Sequence, residues 1–293
     1  MVKFSSPLFR WLKLIIWILK NRGHKTFGTN EIRYALTLFV YLKKQNMKSL
    51  EQARDSIGFV FKKLRPRVSP FKIERVGPKF DSGYYIADLG KVDMVVSGGA
   101  GKNIDFEYQF AKMNSEVHIC DPTVKYLPRK HPGIKHHKIF LGLDESRKNG
   151  ISLRHLEELI RLRDNNVNLL KLDIEGSELN LLGEGKLNLE QYDQIVIEIH
   201  DLHKLACSDY REKFLQLFDN LLKFHYVIHF NSNNNGLILN FGQYFVPEIF
   251  ELTLLNKKYF KSKNPKINNL HPISNNNMGR LSLPNIFLIN VFD

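Results

Sequence analysis

The chemically most suggestive stretch of the sequence is an apolar run that ends in closely spaced acids. Residues 168–178 read NLLKLDIEGSE, so Asp173 follows a strand-like segment, and Glu175 and Glu178 come shortly after it. In open α/β sheets the ligand crevice lies at the carboxyl ends of the strands, where this pattern places Asp173. Capping of a following helix would account for Glu175 and Glu178, because negative charge suits a first turn, but it does not account for Asp173.

A second run brings an acid and an imidazole to the end of another predicted strand. Residues 194–200 read QIVIEIH, and alternation along a strand places Glu198 and His200 on the same face. Carboxylates and an imidazole at neighbouring strand ends are suited to general-base catalysis or to binding a divalent cation. We therefore take Asp173, Glu198 and His200 as candidate members of one site.

A glycine-rich turn is the third candidate. Glycines at residues 98, 99 and 101 follow a Val-rich run, and such a turn lets a ligand approach backbone amides. Asn103 and Ile104 stand where a P-loop and a dinucleotide motif would need other residues, so both motifs are excluded. The next Val/Ile-rich run ends in Asp121, which suits the hydroxyls of a ribose. An adenosine ligand without a pyrophosphate, such as S-adenosylmethionine, fits this arrangement; a plain tight turn beside a solvated acid is the alternative.

The elements that must position these residues follow an alternating pattern. Two amphipathic stretches, 153–162 and 210–222, have helical spacing. Short strands are predicted at residues 92–97, 116–120, 137–141, 168–174, 194–200 and 225–230. Strands that alternate with helices indicate an α/β fold with a parallel sheet and crossover helices.

Charge and composition divide the chain unevenly. Of the 293 residues, the first 75 hold 17 Lys and Arg against four acids, which accounts for the whole net charge of +13 and leaves a neutral remainder. A surface that coats nucleic acid is therefore disfavoured. Residues 31–64 have helical spacing and precede a Pro-containing break, so we predict a basic helical extension over 1–70 and one large domain over 71–293. Two cysteines provide neither a disulfide framework nor a zinc ligand set.

The N-terminal residues 8–20, LFRWLKLIIWILK, are too short and too charged to span a bilayer. On a helix, the cations Arg10, Lys13 and Lys20 fall on one face and apolar side chains on another, which is typical of a helix lying in a membrane interface. An anionic membrane surface is the expected partner. Packing against a protein surface, and a signal or anchor segment, are the alternatives.

Several stretches together resemble a known family. KLDIEGSELNLL (171–182) is similar to the segment that marks FkbM-type S-adenosylmethionine-dependent methyltransferases. Other stretches agree in order: RVGPKFDSGYYI (75–86), VVSGGAGKNIDFEYQFA (95–111), HICDPT (118–123) and VPEIFELTLLNKKY (246–259). The resemblance covers roughly residues 71–292.

This resemblance implies a class I methyltransferase fold, which is a Rossmann-like α/β structure with a seven-stranded, mostly parallel sheet and a terminal antiparallel hairpin. It also implies that the cofactor contacts Gly99, Gly101, Asp105, Asp121 and Asp144, and that methyl transfer takes place beside Asp173, Glu175, Glu198 and His200. Position 97 is Ser where many methyltransferases carry an acid, so Asp105 is the candidate partner for the methionine amine.

The family implies O-methylation of a hydroxyl on a glycan or a related hydroxylated molecule. Either His200 or Asp173 acts as the base, with Glu198 orienting the imidazole, or Asp173, Glu198 and His200 bind Mg²⁺ or Mn²⁺. An RNA methyltransferase that uses the basic arm, and a non-catalytic membrane-attached binding protein, are the competing functions, although nucleic acid is a disfavoured partner. We expect a cytoplasmic protein, peripheral at the membrane, and leave a homodimer through the helical extension open.

Overall fold

The computed structural model describes residues 47–78, 82–142, 150–162, 166–183, 189–233, 238–241 and 244–268. All of these residues belong to one compact unit. The predicted membrane-surface segment 8–20, the first part of the predicted helix 31–64, and Asp144 lie outside the described residues. The division of the chain at residue 70 stays a prediction.

The strands form one large sheet and three small ones. In chain order they are β1 (Ile73–Val76), β2 (Tyr84–Ala87), β3 (Met94–Gly98), β4 (Glu116–Cys120), β5 (Ile134–His137), β6 (Phe140–Leu141), β7 (Gly150–Ile151), β8 (Asn168–Leu172), β9 (Gln194–Ile199), β10 (His225–Ser232), β11 (Ile238–Phe241), β12 (Tyr244–Pro247) and β13 (Phe250–Asn256). The large sheet has seven strands in the order β10-β13-β9-β8-β3-β4-β5. Strands β3, β4, β5, β8 and β9 pair in parallel, whereas β13 is antiparallel to both β9 and β10. The predicted fold class is confirmed.

Helices cover this sheet. They are α1 (Met47–Lys63), α2 (Asp105–Lys112), α3 (Leu153–Ile160), α4 (Glu178–Leu182) and α5 (Ser208–Phe224), with 3-10 turns at Leu202–Ala206 and Lys257–Tyr259. Helix α5 buries Phe214, Leu217, Phe218 and Leu221, which share one face at helical spacing. In the part of the chain that the structure describes, no helix combines the length and the apolar character that crossing a membrane would require.

The central strands β3, β8 and β9 are buried along their whole length. Their sequences are runs of Val, Ile and Leu, as expected for parallel strands covered on both faces. Apart from Asn168 and Gln194, which begin β8 and β9, the polar exceptions in these runs are Ser97, Lys171 and Glu198, each at most 5% exposed. Because burying a polar or charged side chain is costly unless it is paired, these exceptions mark the part of the sheet where chemistry is concentrated.

Helix α1 packs on the domain. The Phe61 ring centroid lies 5.4 Å from that of Phe250 on β13 and 5.8 Å from that of Phe230 on β10. Ile57 and Leu64 are also fully buried. The last part of the predicted helix 31–64 is therefore a structural component of the domain core.

The β1–β2 hairpin also packs against the sheet. Gln194 on β9 bonds both backbone groups of Ala87, and the Thr253 hydroxyl of β13 donates to the Tyr85 carbonyl. These contacts fix the register of β2 and place Tyr84 inside the domain at 3% exposure.

Two predicted boundaries were wrong. The single strand expected at 137–141 is two strands, because β5 ends at His137 and β6 pairs with β7 instead of extending the main sheet. The strand expected at 225–230 is longer than predicted, because Asn231 continues β10 and pairs with Glu251 on β13. Both side chains are buried, so an Asn-rich stretch that looks like a loop is here partly internal.

Candidate active site

A cavity of about 540 Å³ lies at the carboxyl ends of β3, β4, β8 and β9. One side is lined by Gly99, Gly101 and Asp121. The other is lined by the four predicted catalytic residues, Asp173, Glu175, Glu198 and His200. The structure therefore brings the two groups of residues, far apart in sequence, into a single cavity.

The glycine turn is shaped by a close approach of two strands. Gly99 has φ +80°, and a Cβ there would lie 1.7 Å from the Asp173 carbonyl oxygen, so no side chain fits. The Asp173 amide donates to the Gly98 carbonyl at 3.0 Å, which ties the turn to the end of β8. Gly101 has φ +53°, and a Cβ there would meet nothing within 4 Å. The turn therefore packs tightly against the end of β8 at Gly99, whereas the space beside Gly101 is free of protein atoms.

Asp121 is anchored to the same turn. Its Oδ2 accepts hydrogen bonds from the amides of Ala100 (2.9 Å) and Gly101 (3.0 Å), and its Oδ1 accepts from the amide (2.8 Å) and hydroxyl (2.6 Å) of Thr123. Burial opposes ionisation, but these hydrogen bonds outweigh it and lower the pKa of Asp121 below its ordinary value. Asp121 is therefore a fixed carboxylate at the edge of the cavity, beside an exposed Thr123.

These residues fit an adenosine-containing cofactor. The cavity has the volume of a small-molecule site, Gly101 leaves its floor open, and Asp121 presents a negative charge beside it.

The predicted partner of the methionine amine lies elsewhere. Asp105, in the first turn of α2, pairs with Arg129 at 2.9 Å and does not line the cavity. Two residues further along the same helix, Glu107 is buried and its Oε1 accepts from the Ser97 hydroxyl at 2.6 Å. The acid associated with position 97 is therefore Glu107.

Lys171 is a residue of the cavity that sequence reasoning missed. Its ammonium donates to the Gly99 carbonyl and lies 3.7 Å from Glu107 Oε1 and 3.9 Å from Asp173 Oδ2. Its side chain is 4% exposed, yet it lines the cavity. A lysine inside an otherwise apolar strand is the signal that would have identified it, because such a residue needs a partner or a role.

Asp173 is held from the opposite side by the hairpin. The Tyr84 hydroxyl donates to its Oδ2 at 2.7 Å. Burial, then the neighbouring charge of Asp173, raises the pKa of Tyr84 well above its ordinary value. Tyr84 thus remains a hydrogen-bond donor, and Asp173 is positioned by groups from β2 and β8.

Glu198 lies among other carboxylates. It is directly opposite Glu251 in the antiparallel pairing of β9 with β13, and the Asn233 amide donates to its Oε1 at 2.5 Å. Burial first, then the charges of Asp173 and Glu251, raise the pKa of Glu198 well above its ordinary value. The surroundings therefore favour a protonated Glu198.

His200 is surrounded by acids. Its Nδ1 lies 3.1 Å from Glu178 Oε1, and its Nε2 lies 3.5 Å from Glu175 Oε2 and 3.8 Å from Glu198 Oε1. Burial alone would lower the pKa of His200, but the hydrogen bond to Glu178 and the surrounding negative charges raise it to about 9. The imidazole is therefore charged at neutral pH, and Glu178, not Glu198, makes its hydrogen bond.

Glu178 is completely buried, and one of its carboxylate oxygens makes two hydrogen bonds. The same Oε1 that bonds His200 accepts the Ile174 amide at 3.0 Å, which ties the backbone after Asp173 to the start of α4. Glu178 therefore lies in the first turn of α4, as expected, and also bonds His200 in the cavity, whereas Glu175 precedes the helix.

The backbone around the crevice is strained. Glu175 has φ +54° and Asp201 has φ +63°, which costs about 1 to 3 kcal/mol each for a residue other than glycine. Between them, a Cβ on Gly176 (φ +91°) would lie 2.9 Å from Asp201 Oδ2. Such strain commonly persists where a site must hold one exact arrangement.

Among the described residues, Asp173, Glu175 and His200 each offer one ligand atom, and these atoms lie within 4.8 Å of one another. This is close to the predicted cation set, with Glu175 in the place of Glu198. An imidazole and two carboxylates suit Mn²⁺ better than Mg²⁺, which prefers oxygen ligands alone.

The comparison with protein families gives the decisive match, to the methyltransferase FkbM domain over residues 92–228. The chain contains an FkbM methyltransferase domain. The resemblance seen in the sequence is confirmed, the protein is a methyltransferase, and the family implies S-adenosylmethionine as the methyl donor. The sequence gives no match to a curated protein.

The FkbM match includes the glycine turn, Asp121 and the whole segment from Lys171 to His200. Three residues near the crevice lie outside the match. Tyr84 bonds Asp173, Asn233 bonds Glu198, and Glu251 lies opposite Glu198. The methyltransferase site is therefore completed by elements on both sides of the matched segment.

Proposed function

We propose that this methyltransferase transfers a methyl group from S-adenosylmethionine to a hydroxyl of a glycan or a related hydroxylated molecule. The observation that carries the proposal is that Asp173, Glu198 and His200 share one cavity with the glycine turn and Asp121. A hydroxyl is a weak nucleophile and must lose its proton, so an acceptor of this kind needs the carboxylates that the crevice supplies.

The cofactor supplies a methyl group on a sulfonium, which is already activated for displacement. The chain must then align an acceptor oxygen with that methyl group and exclude water. The new bond joins the methyl carbon to the acceptor oxygen, the carbon–sulfur bond breaks toward sulfur, and the hydroxyl proton passes to the protein.

We propose that Asp173 accepts the proton of the acceptor hydroxyl. It lines the cavity, and the Tyr84 hydroxyl holds its Oδ2. His200, with a pKa of about 9, already carries a proton at neutral pH and is poorly suited to take another. Its positive charge instead stabilises the negative charge that develops on the acceptor oxygen.

A divalent cation is the alternative way to activate the hydroxyl. Asp173, Glu175 and His200 would hold it, and it would acidify an acceptor hydroxyl by direct contact. Because His200 must lose its proton to bind a metal, this version requires metal binding to release a proton.

The test is to incubate the purified protein with methyl-labelled S-adenosylmethionine and a panel of glycans, lipid-linked sugars and RNA, and to identify the labelled product by mass. We expect a glycan product in which one hydroxyl hydrogen is replaced by the labelled methyl group, and we expect no such product with Asp173→Asn. Dialysis against a chelator, followed by readdition of Mn²⁺, distinguishes the general-base mechanism from the mechanism that requires a cation. Label found on RNA alone would instead support the competing RNA function.

The basic N-terminus is proposed to bring the enzyme to an anionic membrane surface. The support is the amphipathic spacing in residues 8–20 and the concentration of positive charge before residue 75. Vesicles containing phosphatidylserine should retain the full chain and not a chain lacking residues 1–22. Equal retention of both would contradict this idea.

A further inference from the structure

A buried lysine lies where the two halves of the cavity meet. Lys171 on β8 is the register partner of Ser97 on β3, directly before the glycine turn. The ribose acid Asp121 is on one side and Asp173 is on the other. A ligand that reaches from Asp121 to the methyl-transfer crevice must therefore pass the end of these two strands.

The ammonium of Lys171 retains hydrogen-bonding capacity. It has three N–H donors, and the hydrogen bond found for it goes to the Gly99 carbonyl. Its contacts with Glu107 Oε1 (3.7 Å) and Asp173 Oδ2 (3.9 Å) are ion pairs too long to be hydrogen bonds. The ammonium can therefore still donate to an anionic group in the cavity.

Glu107 supports Lys171 from behind. It is 1% exposed, does not line the cavity, and is fixed by the Ser97 hydroxyl. Buried ion pairs of this kind rarely stabilise a fold more than apolar residues of the same volume would. The pair is therefore better explained by a ligand than by stability.

We propose that Lys171 binds the carboxylate of the methionine part of the cofactor. The ammonium of Lys171 lies between the glycine turn and Asp173, on the path from Asp121 to the crevice, and its positive charge is opposite to that of the methionine carboxylate. Asp105, which the sequence suggested as the partner of the methionine amine, is paired with Arg129 and is not among the residues that line the cavity. The proposal rests on the methyl donor that the family implies and is independent of which acceptor is methylated.

The test compares two ligands that differ only in that carboxylate, S-adenosylmethionine and decarboxylated S-adenosylmethionine, by titration calorimetry. The wild-type chain should bind the carboxylate-bearing ligand about 10- to 100-fold more tightly, as expected for one charge-assisted hydrogen bond. In Lys171→Met the ratio of the two dissociation constants should fall to about one, with binding of the decarboxylated ligand unchanged or tighter. Lys112→Met, which removes an exposed lysine on α2, is the control and should keep the wild-type ratio.

A second variant guards against misfolding. Lys171→Met combined with Glu107→Gln removes the buried charges as a matched pair, and should also give a ratio of about one. The proposal is overturned if either variant keeps the wild-type preference. It is also overturned if the affinities for both ligands fall by the same factor, because Lys171 would then only support the structure of the glycine turn. It also fails if the wild-type chain binds neither ligand. A chain that shows the predicted ratio but methylates no glycan would instead contradict only the acceptor proposed above.

Discussion

The two halves of the cavity are built in different ways. The cofactor half is a short local structure in which backbone amides of the glycine turn meet Asp121, about twenty residues later. The crevice half is assembled from side chains on distant elements: Tyr84 on β2, Asp173 after β8, Glu178 on α4, His200 after β9 and Asn233 after β10. The comparison teaches that one half is shaped by backbone groups close in sequence, whereas the other depends on tertiary packing of distant side chains.

The largest effect is expected at the contact between the two halves. Gly99→Ala places a methyl group against the Asp173 carbonyl and should lower the free energy of unfolding by about 3 to 5 kcal/mol and abolish cofactor binding. Urea unfolding and calorimetry measure the two effects. Gly90→Ala is the control, because Gly90 also has positive φ (+76°) but no atoms within 4 Å of an added Cβ, so it should cost only about 1 kcal/mol.

Asp173→Asn should separate chemistry from donor binding. We expect kcat to fall by about 10² to 10⁴, as for loss of a general base, while the dissociation constant of S-adenosylmethionine changes far less. Tyr84→Phe, which keeps the ring but loses the hydrogen bond, should lower kcat by about tenfold. Wild-type rates in both Asp173→Asn and His200→Ala would refute the general-base and cation mechanisms together.

Glu178→Gln should alter only the crevice. Because the pKa of His200 is raised to about 9 in the folded protein, its stabilising effect is complete below about pH 6.5 and is lost as the pH rises through about 9. The wild-type free energy of unfolding should therefore fall by a few kcal/mol across this range, and Glu178→Gln should flatten the curve. Titration of the His200 ring by NMR gives the pKa directly, and a value that the variant leaves at about 9 would contradict the assignment.

The smallest effect is expected at the cofactor half. Thr123→Val removes one of the hydrogen bonds that keep the pKa of Asp121 low, so that pKa should rise while the carboxylate remains ionised at neutral pH. The dissociation constant of S-adenosylmethionine should change by only about threefold, because Asp121 keeps its hydrogen bonds from the amides of Ala100, Gly101 and Thr123. A tenfold or larger loss would mean that Thr123 itself binds the ligand.

The sequence predicted the sheet well because the sheet depends on local patterns, and it selected Gly99, Gly101 and Asp121, which the structure brings into one cavity. Runs of Val, Ile and Leu identify buried parallel strands, and an acid at the end of such a run, as with Asp121 and Asp173, lies at the ligand edge of the sheet.

The crevice was harder because it depends on side-chain direction and on long-range contacts. Asp105 and Glu107 are two residues apart on one helix and therefore face different ways, and only the structure shows which of them meets Ser97. The Tyr84–Asp173 contact joins residues 89 positions apart. No periodicity in the sequence encodes such a pair.

The position of β13 has a practical consequence. It lies between β9 and β10, yet it comes after the FkbM match, which ends at residue 228. A fragment cut to the matched segment would leave β9, with the sequence QIVIEI, without its antiparallel neighbour. That would create a flat, apolar edge strand, which readily recruits other chains into aggregates. Fragments intended for expression should therefore extend at least through Asn256, so that the sheet edge is closed by the protein's own strand.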